Sequence, residues 1–209
     1  MTLNARARRY STARFSGAIL VLTVFLSCSA IAEKSGGELI GGAFNLLNHH
    51  NEPVTEKDFL GKFMLVYFGY TYCPDICPTD LQIMSEALRM VDPAIARDIT
   101  PVFVSIDPER DTVALMAQYI RHFHKNLIGL TGTVDQVRAI KSKYRVYSAK
   151  SDNTANYLVD HTAYTYLMNK DGTLLKHFNH ALPPEKMACL LYTSPSPRDA
   201  TLSRMPSSA

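Results

Sequence analysis

The sequence predicts an α/β domain in which one mixed sheet is covered by helices on both faces. Three observations carry that expectation. Residues 63–68 and 101–107 are largely apolar runs that suit strands buried on both sides. Between and after them, apolar residues recur at helical spacing. The last two strand-like runs flank Asn169-Lys170-Asp171-Gly172, a hairpin signal that adds an antiparallel edge. Strands that alternate with helices form a sheet sandwiched between helical layers.

The elements follow in order. Residues 44–47 and the stretch around Val54, separated by Asn48-His49-His50-Asn51-Glu52-Pro53, read as an N-terminal hairpin. Residues 63–68 form a buried strand ending at Gly69. Leu81, Met84, Leu88 and Val91 mark a first helix. Residues 101–107 form a second buried strand. Val113, Met116, Ala117, Ile120 and Phe123 mark a second helix, with Asp111 placed to cap it. Residues 127–130 are a short strand. Thr133 and Gln136 form a capping box for a third helix through Tyr144. Residues 163–168 and 173–178 flank the closing turn, and a last helix starts at Pro184. This order is that of a thioredoxin-like fold with insertions.

The chain of 209 residues has room for one such domain and a leader. Residues 1–32 read as a signal peptide or a membrane anchor. Arg6, Arg8, Arg9 and Arg14 precede an apolar run from Gly17 to about Ala32, and Ala30-Ile31-Ala32 offers a cleavage site. A lipid-modified Cys28 and a mitochondrial presequence are further readings of the same stretch. Each places the domain outside the cytoplasm or in the equivalent mitochondrial space, where disulfides can close. Residues 33–43 are a Gly-rich linker, and the domain spans 44–188. Residues 189–209 lose the periodicity and gain helix-stopping prolines, so they read as foreign or disordered, and Cys189 receives no role. The formal charge of +3 becomes −1 without the four leader arginines, because the first acid is Glu33. The folded part has no basic stripe, which argues against nucleic acid as a partner.

Cys73-Pro74-Asp75-Ile76-Cys77-Pro78 lies between a buried strand and a helix. A spacing of four puts both sulfurs on one side of a single turn. Amides at a helix start favour thiolate there. Such a pair invites a Cys73–Cys77 disulfide or a soft metal ion. The third group is His161, in Val159-Asp160-His161-Thr162, at the opening of the strand 163–168. In a thioredoxin-like sheet that connection lies beside the cysteine loop, so an imidazole can reach an ion held by both sulfurs. Two thiolates and one imidazole suit copper(I) and tolerate copper(II), whereas structural zinc asks for a fourth ligand.

Residues 67–78 (Tyr-Phe-Gly-Tyr-Thr-Tyr-Cys-Pro-Asp-Ile-Cys-Pro), 104–112 (Val-Ser-Ile-Asp-Pro-Glu-Arg-Asp-Thr) and Asp160-His161-Thr162 together resemble the Sco/SenC family, over about residues 41–188. The resemblance implies a membrane-anchored, thioredoxin-like copper protein with ligands Cys73, Cys77 and His161. It implies help in assembling the dinuclear copper centre in subunit II of cytochrome c oxidase, after receipt of copper from an upstream donor. It places the domain on the periplasmic face of a bacterial inner membrane, in the periplasm if the leader is cut, or alternatively in the mitochondrial intermembrane space. A thiol–disulfide reductase that keeps the acceptor's cysteines reduced is the competing function; Cys73 and Cys77 would then be the reacting groups.

Other residues are weaker candidates. Residues 107–111 read first as a strand-ending turn plus a helix cap, although Asp107 is also placed to orient His161 or a loop. Asp75 is a loop acid that could tune the site's charge. Tyr70 and Tyr72 are placed either to shield the site from water or simply to pack. Three imidazole pairs remain: His49/His50 sit in a turn and are expected to be solvated, His122/His124 are two apart on a helix and point different ways, and His177/His180 complete the set. None is expected to be the main site, with at most weak secondary copper binding.

Overall fold

Two of the expected runs become inner strands of one sheet in the computed structural model, which describes residues 40–152, 154 and 156–193. In chain order the strands are β1 (Asn45–Asn48), β2 (Pro53–Thr55), β3 (Phe63–Gly69), β4 (Ile99–Ser105), β5 (Ile128–Thr131), β6 (Ser148–Lys150), β7 (Val159–His161), β8 (Thr165–Met168) and β9 (Leu174–Phe178). The helices are α1 (Ile76–Met90), α2 (Pro93–Arg97), α3 (Val113–Tyr119), α4 (Val134–Lys143) and α5 (Pro184–Tyr192). The main sheet has the order β2-β1-β5-β4-β3-β8-β9. β3, β4 and β5 run parallel, and the other neighbours pair antiparallel. β6 and β7 form a separate two-stranded sheet.

Neighbouring residues of a strand point to opposite faces, so a strand covered on both sides must be apolar throughout. Tyr67 stacks with Phe103, whose ring meets Tyr119 of α3. Phe68 turns the other way, to Tyr144 at the end of α4 and to Tyr166. α3 and α4 therefore cover opposite faces, as the α/β pattern predicts. Tyr67, Phe68 and Phe103 are all fully buried. The two phenylalanines each contribute about 1.5–3 kcal/mol relative to an exposed position. α5 packs against α1.

Several local signals hold. In α4, Thr133 Oγ1 accepts from the Gln136 amide at 3.2 Å and Gln136 Oε1 accepts from the Thr133 amide at 2.8 Å, which is the expected capping box. The closing hairpin turns through Gly172 at φ +83°, a conformation that suits glycine. Two expectations are corrected, and one helix is additional. Asp111 does not cap α3. Thr112 does, accepting from the Leu115 amide at 3.3 Å, while the Asp111 carboxylate turns into the core. His161 does not open the strand that follows it. It ends β7, where it pairs with Ser148, and β8 begins at Thr165. α2 was not expected; Pro93 starts it and Asp92 caps it by accepting from the Ala94 amide at 2.7 Å.

α5 starts at Pro184 and runs to Tyr192, carrying Leu191 into the core. The leader, residues 33–39 of the linker and residues 194–209 lie outside the described residues. Among the described residues, no helix is long and apolar enough to cross a membrane.

Candidate metal centre

β3 ends and α1 begins at the C-terminal edge of the parallel strands, where crevices form in sheets of this kind. The connecting loop is drawn tight by the Cys73 amide, which donates to the Tyr70 carbonyl at 3.2 Å. Cys77 sits in the first turn of α1, and its amide donates to Cys73 Sγ at 3.4 Å. That amide belongs to the group a helix start leaves without an internal partner, and it favours negative charge on the sulfur. Gly69 makes room for this turn. A Cβ there would lie 2.8 Å from Cys77 Sγ and 2.9 Å from the Phe103 ring.

His161 arrives from the far side of the chain. Its Nε2 lies 3.3 Å from Cys77 Sγ, and its Nδ1 lies 3.1 Å from the Thr162 carbonyl oxygen. A carbonyl can only accept, so Nδ1 carries the hydrogen and Nε2 presents a lone pair toward the sulfurs. The ligand atoms of Cys73, Cys77 and His161 all lie within 4.8 Å of one another. Among the described residues, no other three His, Cys, Asp or Glu side chains gather their ligand atoms so closely. Tyr67 and Tyr70 present their rings edge-on to the imidazole, with centroids 6.3 and 6.0 Å away.

The two thiols are free, and they differ sharply. Hydrogen bonding from the Cys77 thiol is the largest influence on Cys73. With the neighbouring donors, the Asp75 and Cys77 amides among them, it outweighs burial and brings the Cys73 pKa down to about 4. Burial pushes the Cys77 thiol up, and the hydrogen bond and negative charge shared with Cys73 push it further. The pair therefore keeps one proton, on Cys77, with a thiolate at Cys73. Cys77 is fully buried, and Cys73 keeps 8% of its surface.

The strand bearing His161 is held by a polar latch. Asp107, which is 2% exposed, accepts from the Tyr157 hydroxyl and from Arg110 Nε, both at 2.6 Å. Arg110 also donates to the Tyr157 carbonyl at 2.9 Å, and its guanidinium carbon lies 3.6 Å from the centre of the Tyr157 ring. The Val159 amide donates to the Tyr70 hydroxyl at 3.1 Å, tying β7 to the cysteine loop. Behind this latch, Asp111 accepts from the hydroxyls of Thr71 and Ser105, each at 2.6 Å, and burial raises its pKa.

The candidates sort as follows. Cys73, Cys77 and His161 meet. Among the described residues, none of the hydrogen bonds of Asp107 goes to His161; its partners are on the loop that carries His161, on the turn after β4 and at Ser105, the last residue of β4. Asp75 stands exposed at the start of α1 and makes no side-chain cap. Tyr70 is buried beside the imidazole, but Tyr72 is 56% exposed with Arg110 over its ring. Of the histidine pairs, His177 and His180 are both exposed, yet His180 bonds to Asp80 at 2.9 Å and His177 packs on Tyr164. Tyr157 was missed altogether, because nothing in its neighbourhood on the chain marks it as a partner of Asp107. Asp80, one turn beyond Cys77 and 4% exposed, was missed as well. Its signal was an acid on the buried side of an amphipathic helix.

Comparison with known proteins bears on what this arrangement is. A family model described as SCO1/SenC matches residues 32–193. The human mitochondrial protein SCO1 homolog is 41% identical over 165 residues, covering 78% of this chain and 55% of that protein. The chain thus spans little more than half of that relative's length. Among solved structures, Bradyrhizobium japonicum ScoI with copper bound aligns with a TM-score of 0.69 and 41% identity, covering 74% of this chain and 99% of that one. Yeast Sco1 with copper bound aligns with a TM-score of 0.69 and 32% identity, covering 81% and 96%.

Proposed function

This chain belongs to the SCO1/SenC family, and from that premise we propose that it is a copper metallochaperone with Cys73, Cys77 and His161 as its ligands. The observation that carries the reading is the meeting of two sulfurs and one imidazole nitrogen within 4.8 Å. Donors bonded to one ion at about 2.0–2.3 Å stand roughly 3.5–4 Å apart in a three-coordinate site, so closing on copper requires only a small contraction. The donor set is soft and carries no carboxylate, which favours copper(I) over hard cations. The copper-bound relatives support the same cargo.

In this reading copper is the substrate. The Cys73 thiolate binds first, since it needs no deprotonation. The Cys77 thiol gives up its proton as it binds, and His161 Nε2 closes the set, its ring oriented by the Thr162 carbonyl. An acceptor's thiolates then replace these donors one at a time, and no free ion is released. The acceptor in this proposal is subunit II of cytochrome c oxidase, supplied through an upstream donor, as the family resemblance implies. The leader would hold or export the domain to the periplasmic face of a bacterial membrane, or its mitochondrial counterpart.

A second reading, thiol–disulfide reductase, is favoured by one observation: a thiolate beside a buried thiol. Cys73 attacks an acceptor disulfide, forming a mixed disulfide and releasing one acceptor thiolate. Cys77 loses its proton and attacks Cys73 Sγ, releasing the second thiolate and leaving a Cys73–Cys77 disulfide. The acceptor gains two electrons and the protein is oxidised by two.

Anaerobic titration with copper(I) tests the choice. The wild type should bind one copper per chain. His161→Ala should lose most of that affinity yet keep a dithiol that oxidises and reduces as before. A wild-type chain that reduces disulfides but takes no stoichiometric copper would leave only the second reading.

A further inference from the structure

A groove of about 360 Å³ opens at the N-terminal end of β5, whereas the cysteine loop follows the C-terminal end of the parallel strand β3. The two sites therefore occupy opposite edges of the sheet. The groove is lined by His49 and His50 from the turn after β1, by Arg121 from the turn after α3, and by His124 and Lys125 from the loop before β5. Every polar side chain in that lining is a cation or an imidazole. Glu52, on the same turn as His49, does not line it, and its carboxylate is bonded by Asn48 Nδ2 at 2.8 Å.

Hydrogen bonding decides what the imidazoles offer. The Gly129 amide donates to His49 Nδ1 at 3.3 Å, and the Asn126 amide donates to His124 Nδ1 at 3.2 Å. An amide hydrogen aimed at Nδ1 needs a lone pair there, so the hydrogen of each neutral ring sits on Nε2. Both rings thus keep one N–H donor and have no free lone pair for a metal. With Arg121 and Lys125 they give the groove four donor groups and no carboxylate, which complements oxygen acceptors bearing negative charge.

We propose that this groove binds an oxyanion, a phosphate group carried either free or on a lipid headgroup. Arg121 contributes a planar pair of donors, Lys125 a mobile charge, and the two Nε2–H groups fix orientation.

The test uses the full-length chain and its Arg121→Ala/Lys125→Ala variant, with one-to-one copper(I) binding at Cys73, Cys77 and His161 as the control for folding. Inorganic phosphate is titrated while the ring signals of His49 and His124 are followed by NMR. Binding to phosphatidylcholine vesicles with and without phosphatidylglycerol is measured in parallel. Saturable shifts that weaken by about tenfold or more in the variant establish the site and a free phosphate as ligand. Variant-sensitive binding to the anionic vesicles without a phosphate response assigns the headgroup. The proposal is overturned if neither probe binds, if the double variant binds both as the wild type does, or if zinc(II) saturates these histidines where phosphate does not.

Discussion

Cys73 lies in the strand-to-helix loop and Cys77, four residues on, lies in the first turn of α1, pressed against Gly69 at the end of a buried strand. His161 ends a three-residue strand of a two-stranded sheet and reaches them through a latch of Asp107, Arg110, Tyr157 and Tyr70. One anchor is held by core packing, where side chains interlock at crystal-like density. The other is held by a handful of polar contacts at the margin of the fold. The difference teaches where such a site can give way. Two donors are fixed by the same forces that hold the domain together, while the third can be released without unfolding it.

The asymmetry of the thiols is the sharpest consequence of the packed anchor. In the reduced, metal-free protein, an ordinary thiol gains reactivity about two hundredfold between pH 6 and pH 9, following its thiolate fraction. Cys73 should change little over that range, since its depressed pKa leaves it ionised well below pH 6, and its alkylation should slow only as pH falls toward about 4. Cys77→Ala removes the largest stabilising hydrogen bond and should move the profile back toward that of an ordinary thiol. Iodoacetamide rates read by mass spectrometry check this, and a Cys73 profile as steep as a free thiol's would end the claim.

Loosening the latched anchor should cost affinity and spare the pair. Arg110→Ala removes two hydrogen bonds and the cation over Tyr157. Loss of groups that orient a ligand typically costs 10–100-fold in metal affinity. We expect a copper(I) loss in that range, with the Cys73 alkylation profile unchanged. Equal damage to both would mean the two anchors are one unit.

Gly69→Ala makes the opposite cut. The added methyl meets Cys77 Sγ and Phe103 at under 3 Å, so the turn must shift. Overpacking of this kind costs about 1–3 kcal/mol, measurable as a lowered denaturation midpoint. The Cys73 profile should move, because Cys77 is its main hydrogen-bond donor. An unchanged midpoint would show that the packed anchor is softer than its burial implies.

Much of this was readable along the chain wherever neighbours in sequence are neighbours in space. The apolar run of β3, the Thr133–Gln136 capping box and the Asn169–Gly172 turn are local devices, and they formed as expected. Short elements escaped, because three-residue strands such as β6 and β7 carry too few positions to show a period. Asp111 was misjudged for a related reason. A carboxylate before a helix can cap it or turn inward, and the choice belongs to Thr71 and Ser105, 40 and 6 residues away.

The sequence by itself determined that two sulfurs share one turn at a strand end and that a helix-covered mixed sheet carries them. A spacing of four across a strand-to-helix junction keeps the two sulfurs close, although only Cys77 is on α1 and Cys73 lies in the loop before it. Only the tertiary structure decided that His161 Nε2 faces those sulfurs, that Cys73 holds the charge and Cys77 the proton, and that Asp107 and Tyr157 steady the imidazole's strand. Those facts depend on contacts between residues up to 84 positions apart and on how deeply each group is buried. No local pattern encodes either, since long-range contact and burial arise only when the whole sheet closes.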